Sequence, residues 1–412
     1  MPRTPPPSRP PAEHKLPLPA RVVTEAVAET GSLLKQSGPL RFGSGLISGI
    51  LGLTLAILCL LGVLAFRFPQ YLTTPELRHV YSVDLMRHIL FFSLVLAGSL
   101  AVVSVLIGRQ RGLNATTAVL VSAAVLLGGS HVPVADFPDH TPYIGLDWFI
   151  LDLLGSTTIF LIIEKLFPLY RGQPVFRAQW QTDLVHFAFN HFIVGLVLLA
   201  VNFLIHRIFG WMVQDGVQGY VQALPFLPAL LLCIGAADFV QYWAHRAYHE
   251  VPFLWRFHSV HHSAKTMDWL AGSRQHVLEL IATRVAVLGA LYVLGFSKGV
   301  MDAYIIVVGF QAVFNHANVH LPWGPFKYLI VTPDFHHWHH SSDTVAIDRN
   351  YAAHYAFLDW IFGTAIRGQK GFPKNYGVVG DYMPDGFLRQ QMFPLRGPAL
   401  SGGPRPTKEP GA

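Results

Sequence analysis

The hydrophobic positions of this 412-residue chain form long runs that short polar segments separate. Residues 45–66 carry no charged side chain over 22 positions, which is enough to cross about 30 Å of hydrocarbon at a helical rise of about 1.5 Å per residue. Similar runs follow at residues 89–108, 113–130, 148–163, 187–205 and 221–237. The pattern predicts six membrane-spanning helices and an all-α fold.

Two later apolar runs, residues 285–297 and 303–315, are 13 residues long each. A run of that length is too short to cross a bilayer alone. We expect the two runs to form a hairpin, re-entrant or spanning, that returns the chain to the side it left. The polar segments before and after this hairpin then face the same compartment.

The composition also favours a membrane protein. Hydrophobic residues make up 52% of the chain and charged residues only 13%, about half the charged share of an average soluble protein. So few charges would not cover a soluble surface. The two cysteines, Cys59 and Cys233, lie in apolar runs, so we expect free buried thiols and no disulfide framework. The net charge of +6 is scattered over the ends of apolar segments, which argues against a nucleic-acid partner.

The segments between the runs predict an orientation in the membrane. Residues 1–40 are proline-rich and lack an apolar core, so we expect a disordered tail and not a signal peptide. Basic residues precede the first run and follow the second and fourth, as Arg109, Arg111 and Lys165 do, which places those segments in the cytoplasm. Six spans then bring Ala244 and the segments just after it to the cytoplasmic face.

Histidine is the anomaly in the composition. The chain has 21 histidines, and 13 of them lie between His245 and His354. Most fall in four groups, AHRAYHE, FHSVHHS, NHANVH and FHHWHHS, which repeat spacings of three and four residues. Residues at those spacings lie on one face of a helix with Cβ atoms about 5–6 Å apart, so two imidazoles of one group can bind one ion.

The grouped histidines predict two metal centres. A lone histidine in an apolar helix is typical of a hydrogen-bonded core residue, and we interpret His186, His191 and His206 in this way. Gathering ten imidazoles at a membrane surface is costly without a ligand, and neutral imidazole is the commonest nitrogen ligand of Fe, Zn, Cu and Ni. Ten exceed the four to six positions of one centre and suit two centres of about five each. The residues alone leave iron and zinc both open.

Residues 148–363 resemble the fatty acid hydroxylase/sterol desaturase superfamily of integral-membrane oxygenases. The resemblance rests on ADFVQYWAHRAYHE, WRFHSVHHSAKTMDWLAGSRQHVLE, FNHANVHLP and TPDFHHWHHSSDTVAIDRNYAAHYAFLDWIFGT, in the order that the family uses. It implies a four-helix membrane base under a cytoplasmic helical cap that holds two non-haem irons. The metal ligands that it implies are His245, His249, His258, His261, His262, His316, His320, His336, His339 and His340. His276, His337 and His354 lie in matching stretches but outside this ligand set.

The resemblance also divides the chain. It implies a superfamily domain at residues 147–375, preceded by an additional transmembrane module at 41–146 and followed by a C-terminal tail at 376–412. Asp238 lies seven residues before His245 and on the same helix face. We expect it either to orient a ligand imidazole or to form a polar cap at the membrane edge.

The function that the resemblance implies is O2-dependent hydroxylation or desaturation of a C–H bond in a sterol-like, fatty acyl or carotenoid lipid. Catalytic residues beyond the metal ligands are not expected, because the other side chains act as walls that exclude water and place the substrate. The sequence shows no dinucleotide-binding glycine motif and no His-Pro-Gly-Gly segment of the cytochrome b5 type. An external electron donor, a ferredoxin or a cytochrome b5-like protein with its reductase, is therefore implied.

Two alternatives stay open at this point. Ether-lipid cleavage, by hydroxylation beside the ether oxygen, uses the same ligand set in some superfamily members. A non-redox zinc protein for transport or sensing is the alternative from another class. Transporters place ionisable ligands near the bilayer midplane, whereas the histidines here lie beyond the predicted spans, which disfavours transport.

Overall fold

A computed structural model describes residues 45–75, 78, 81–106, 110–136, 144–367 and 371–395, except for the side chains of 194–196 and 199. The predicted disordered tail at 1–40 lies outside these residues. Every regular element in the described ranges is helical, and β pairing there is limited to two isolated bridges. The all-α fold class is therefore confirmed.

Contacts within the chain divide it into two compact units that meet in sequence between Leu154 and Gly155. The first unit contains α1 (Leu46–Arg67), α2 (Pro69–Leu72), α3 (Val83–Leu106) and α4 (Arg111–Leu126).

The long helices α1, α3 and α4 of this unit pack against one another. Cys59, Val63 and Leu90 belong to the buried cluster between them, whereas Phe92, Leu106 and Leu126 are 65–86% exposed. Apolar side chains that face outward to this extent are expected where a helix meets lipid.

The second unit holds the longer helices of the histidine-bearing region. Helix α5 (Asp147–Leu166) begins in the first unit and ends in the second, and it is followed by α6 (Trp180–Phe209), α7 (Asp215–Gln222), α8 (Phe226–Glu250), α10 (Val277–Leu294) and α11 (Lys298–His316). Helix α8 packs against both α10 and α11. Cys233, Leu291 and Tyr304 lie in the apolar core that these three helices share.

Short helices occupy the remaining described segments, residues 251–276, 317–367 and 371–395. They are α9 (Pro252–His258), α12 (Pro333–His339), α13 (Phe357–Ile361) and α14 (Phe387–Met392), with 3-10 turns that include His261–Ser263 and Trp269–Ser273. Helices α9 and α12 each begin at a proline, which needs no hydrogen bond at the first helical position. Part of the predicted C-terminal tail is thus helical.

Five of the described helices are long and apolar enough to cross a membrane: Leu46–Arg67, Val83–Leu106, Arg111–His131, Phe226–Glu250 and Val277–Leu294. The chain is accordingly a multi-pass membrane protein. Four of these helices match predicted runs. The fifth corrects the prediction that the run at 285–297 is too short, because the helix already begins at Val277 and accommodates Glu279 and Arg284.

Two predicted spans differ from this set. The run at 148–163 lies in α5, where Asp152, Glu164 and Lys165 make the helix too charged to count as a candidate span. The run at 187–205 lies inside the 30-residue α6 and is not among the five candidates. By length and composition alone, five of the described helices thus qualify as candidate spans, where the hydrophobic pattern predicted six.

Candidate metal centre

The structure brings nine of the ten predicted ligand histidines together in two buried clusters. The first cluster consists of His245, His249, His258, His262 and His339. The second consists of His261, His316, His336 and His340. In each cluster the candidate ligand nitrogens all lie within 4.8 Å of one another, which is close enough for all of them to surround one ion at bond lengths of about 2.0–2.1 Å.

Helical spacing explains how these side chains meet. His245 and His249 lie one turn apart near the end of α8, and their ring centroids are 5.2 Å apart. Helix α12 serves both clusters, because it directs His339 into the first while His336 faces the second. A seven-residue helix that carries three histidines thus joins the two clusters into one site.

The outward ring nitrogens are held by the protein. His245, His261, His316 and His339 place Nδ1 at 2.6–2.9 Å from the backbone oxygens of Tyr351, Arg274, Ala312 and Arg349, respectively. Because a carbonyl oxygen only accepts, each of these rings donates its Nδ1–H. The Nε2 atom of each ring then presents a lone pair to the interior of the site, as metal-binding histidines do.

The inward nitrogens face one another in a way that calls for a cation. Nε2 of His261 lies 3.3 Å from Nε2 of His316, and both rings already donate Nδ1–H to carbonyls. Burial lowers the pKa of His261 to about 4, so the ring is neutral at pH 7. Two lone pairs at this distance repel each other unless a positive ion lies between them. The donor set therefore fits a metal.

The first cluster shows the same fit. His245 and His258 place their Nε2 atoms 3.0 Å apart, and burial lowers the pKa of His258 to about 3. The Nε2 atoms of His262 and His339 are buried and have no hydrogen-bond partner among the described residues. An unpaired buried polar atom costs about 1–3 kcal/mol, a cost that coordination to a metal would remove.

A buried carboxylate that sequence reasoning missed contacts the first cluster. Glu279 in the first turn of α10 places Oε1 2.7 Å from Nδ1 of His258. The signal was present, because an acidic residue inside an otherwise apolar helix is expensive and usually functional.

Asp238 contacts a loop and not, as one prediction had it, a ligand imidazole. Its carboxylate accepts backbone N–H bonds from Ala353, His354 and Tyr355 and touches no ligand imidazole. Asp359 accepts the N–H groups of Tyr351 and Ala352, at 2.8 Å each. The two carboxylates fix the loop whose Tyr351 carbonyl holds His245, so Asp238 supports the site through the loop.

A buried ionic network stands behind the second cluster. Arg177 contacts Asp183 at 2.6 Å and Asp268 at 2.7 Å, and Arg274 pairs with Asp183 from the other side. All four side chains are buried. The backbone oxygen of Arg274 accepts the Nδ1–H of His261, so this network fixes the position of one ligand.

His320 is the predicted ligand that the structure does not bring to the clusters. Its side chain is 50% exposed and its Nδ1 lies 3.2 Å from Asp334. His337 is buried but bonds to Tyr376 and to two backbone oxygens. His276 and His354 likewise bond to protein groups, Gln391 and Gln311. These last three lie outside the clusters, where the sequence interpretation put them.

Comparison with known proteins places this arrangement in a family. Residues 230–364 match the fatty acid hydroxylase family model, and this span holds all nine clustered histidines. Residues 230–364 are therefore similar to fatty acid hydroxylases, and the relatives below support the fatty acid hydroxylase/sterol desaturase superfamily for this part of the chain. The predicted resemblance is thereby confirmed.

Three relatives show the range of proteins in this superfamily that the chain is similar to. It is 30% identical over 171 residues to the ornithine lipid hydroxylase OlsE of Rhizobium tropici, covering 42% of this chain and 51% of the relative. It is 30% identical over 129 residues to the very-long-chain aldehyde decarbonylase GL1-11 of Oryza sativa subsp. indica, covering 31% and 48%. With the alkylglycerol monooxygenase of Caenorhabditis elegans it shares 27% over 149 residues, covering 36% and 29%.

The chain therefore spans about half the length, or less, of these relatives. No solved structure matches the chain.

Proposed function

We propose that this protein is a membrane di-iron oxygenase that hydroxylates or desaturates a C–H bond of a lipid, with O2 as co-substrate. The observation that carries the proposal is the pair of adjacent buried clusters built only of histidine. Zinc ribbons use cysteine and the carboxylate-bridged helical bundles use glutamate, so neither accounts for this ligand set. The relatives named as a hydroxylase and a monooxygenase support the reaction class.

The residues proposed to hold the irons are the nine clustered histidines. Bound iron would supply the redox chemistry that activates O2 toward an unactivated C–H bond. The protein's own contribution is to present neutral imidazole nitrogens, which it does by burying the rings and fixing their Nδ1–H groups on carbonyls. Burial of both clusters also excludes water from the reacting groups.

Lipid access is proposed through the apolar helices below the clusters. Helix α11 ends at His316 of the second cluster, and its outward residues Ile305, Ile306 and Phe310 are 47–71% exposed. A lipid that moves along this helix from the bilayer would arrive at the histidines. The pair α10 and α11 is therefore our candidate for part of the lipid channel.

Electrons are proposed to come from a ferredoxin or a cytochrome b5-like protein with its reductase. The described residues supply only histidine metal sites, and the sequence lacks a nucleotide motif. The basic segments near the membrane spans favour a cytoplasmic position for the histidine site, which is where such donors would dock.

Elemental analysis coupled to oxygen consumption tests the proposal. The detergent-purified wild type is compared with the double variant His339→Ala/His340→Ala, which removes one ligand from each cluster. The control is His337→Gln on the same helix, outside both clusters. About two irons per chain and O2 uptake under chemical reduction, both lost only in the double variant, are expected. Stoichiometric zinc without O2 uptake, after expression in iron-supplemented cells, would favour a zinc-handling protein instead.

Ether-lipid oxygenation is the second candidate, since the chain is similar to an alkylglycerol monooxygenase. It predicts a fatty aldehyde as product from an alkylglycerol. Hydroxylation or desaturation, in contrast, does not cleave the lipid into two molecules. Mass spectrometry of products from the two substrate types separates the candidates.

A further inference from the structure

The two clusters have different surroundings, and the difference starts with a carboxylate. Glu279 is 6% exposed, and its Oε1 accepts the Nδ1–H of His258. Its other oxygen, Oε2, is buried and has no hydrogen-bond partner among the described residues. Among the described residues, the hydrogen-bond partner of this buried carboxylate is therefore one imidazole of the first cluster.

In the part of the chain that the structure describes, no carboxylate is hydrogen-bonded to an imidazole of the second cluster. His261 and His316 donate to the backbone oxygens of Arg274 and Ala312. The outward Nδ1 atoms of His336 and His340 are buried and lack a hydrogen-bond partner in the part of the chain that the structure describes. The charge of Glu279 also acts on His261 across the site, but its hydrogen bond reaches His258 alone.

The number of ligands differs in the same direction. The first cluster offers five nitrogens and the second offers four. A carboxylate behind a ligand imidazole makes the ring a stronger donor, and the loss of such a partner typically weakens metal binding by about 10–100-fold. Both the ligand count and the carboxylate thus favour the first cluster.

Resting on the proposed function, we propose that Glu279 is a positioning residue that makes the two metal centres unequal. The five-histidine centre fills first and holds its iron more tightly. The four-histidine centre binds more weakly and keeps more coordination positions open for a small molecule. Helix α10 contributes Glu279 to this inequality, and α12 contributes ligands to both centres.

Anaerobic titration of the metal-stripped full-length protein with Fe2+ tests this inference. His336→Ala isolates the first centre and His249→Ala isolates the second, so calorimetry measures each dissociation constant alone. We expect the first centre to bind at least about 10-fold more tightly. Both variants keep Glu279. Equal affinities of the two centres, or tighter binding at the second, would overturn the inference.

Variants of Glu279 then assign the cause. Glu279→Gln keeps the shape and removes the charge, and we expect about 10–100-fold weaker binding at the first centre, with less than about a 3-fold change at the second. Glu279→Asp should restore part of the loss. Glu250→Gln is the matched control, because Glu250 is partly exposed and pairs with Arg246. Equal weakening of both centres by Glu279→Gln would refute the assignment.

The result is separable from the proposed function. Unequal Fe2+ affinities that depend on Glu279, without O2 uptake on any lipid, would sustain this inference and refute the oxygenase. Lipid oxygenation by a protein whose two centres bind Fe2+ equally would support the oxygenase and refute this inference. Thermal unfolding of each stripped variant verifies that Glu279→Gln and Glu279→Asp are folded.

Discussion

The hydroxyl of Tyr376 lies 2.8 Å from Nδ1 of His337, and Nε2 of the same ring faces the backbone oxygens of His316 and Ala317 at 3.0–3.1 Å. Since carbonyls only accept, the ring donates from Nε2 and accepts the tyrosine proton at Nδ1. His337 therefore ties the end of α11 to residues beyond α13 with both nitrogens. It has none left for a metal, although its neighbour His336 faces the second cluster.

This arrangement predicts opposite outcomes for two adjacent substitutions. His337→Gln should keep about two metal ions per chain, because glutamine can donate and accept at the same places. His336→Ala should lose the second-centre ion, since it removes one of four nitrogens. Metal content by elemental analysis measures both. Loss of metal from the His337→Gln protein equal to that from His336→Ala would contradict the assignment.

The stability of the metal-free protein should decrease as the pH decreases. Burial lowers the pKa of His354 from 6.5 to about 4 in the folded chain. Between these values the unfolded state binds the proton and the folded state does not, so stability is complete above about pH 6.5 and is lost as the pH falls toward 4. The shift corresponds to roughly 3 kcal/mol at 1.36 kcal/mol per pKa unit.

Unfolding of the chelator-treated protein in detergent, followed from pH 7 to pH 4, measures this effect. His354→Gln should reduce the pH dependence by about one proton, because the titrating ring is gone while an amide can still bond to Gln311. An unchanged slope in this variant would show that His354 does not contribute.

The loop that holds His245 should be sensitive to Asp359. Asp359→Asn replaces one of the oxygens that accept the N–H groups of Tyr351 and Ala352. Hydrogen bonds to a charged group contribute about 1.5–3 kcal/mol each, so we expect a loss of roughly 2–3 kcal/mol and weaker binding at the first centre. Asp302→Asn is the control, because its ion pair with Lys298 is exposed and such pairs contribute about 0–1 kcal/mol. Equal effects of the two variants would contradict this role.

Gly272 should report on the second centre. A Cβ atom at this position would lie 2.8–2.9 Å from ring atoms of His316, so Gly272→Ala must displace a ligand imidazole. We expect loss of the second-centre ion with the first retained. Gly309→Ala in α11 meets no atom within 4 Å and should leave metal content unchanged. Full occupancy in the Gly272→Ala protein would show that His316 moves without cost.

Sequence spacing predicted much of the site because the ligand histidines follow helical geometry. The i, i+4 pair of His245 and His249, and the i, i+4 pair of His336 and His340, each converge on one cluster by local rules alone. The assignment to one cluster or the other was beyond those rules. His261 and His262 are neighbours in sequence yet belong to different clusters. This depends on tertiary contacts, in which the ring of His262 meets His249 and His339 while the ring of His261 meets His316.

Other features depend on contacts distant in sequence. His320 has helical spacing from His316, but α11 ends at His316 and the chain turns His320 toward Asp334. Glu279 and Arg284 interrupted the apolar pattern before residue 285, so the hydrophobic pattern made the span look short. The same residue is the partner of His258. A charged residue that interrupts a predicted membrane span can thus indicate a functional site.

The shared helix α12 has a consequence for biogenesis. His339 completes the first cluster and His336 and His340 complete the second, so neither centre exists until the chain has been synthesised to residue 340 and α12 has docked. Without a bound metal, the folded site holds lone pairs of neighbouring histidine Nε2 atoms facing one another. Because metal-binding free energy then adds directly to folding free energy, the cellular supply of metal should limit how much of this protein survives quality control.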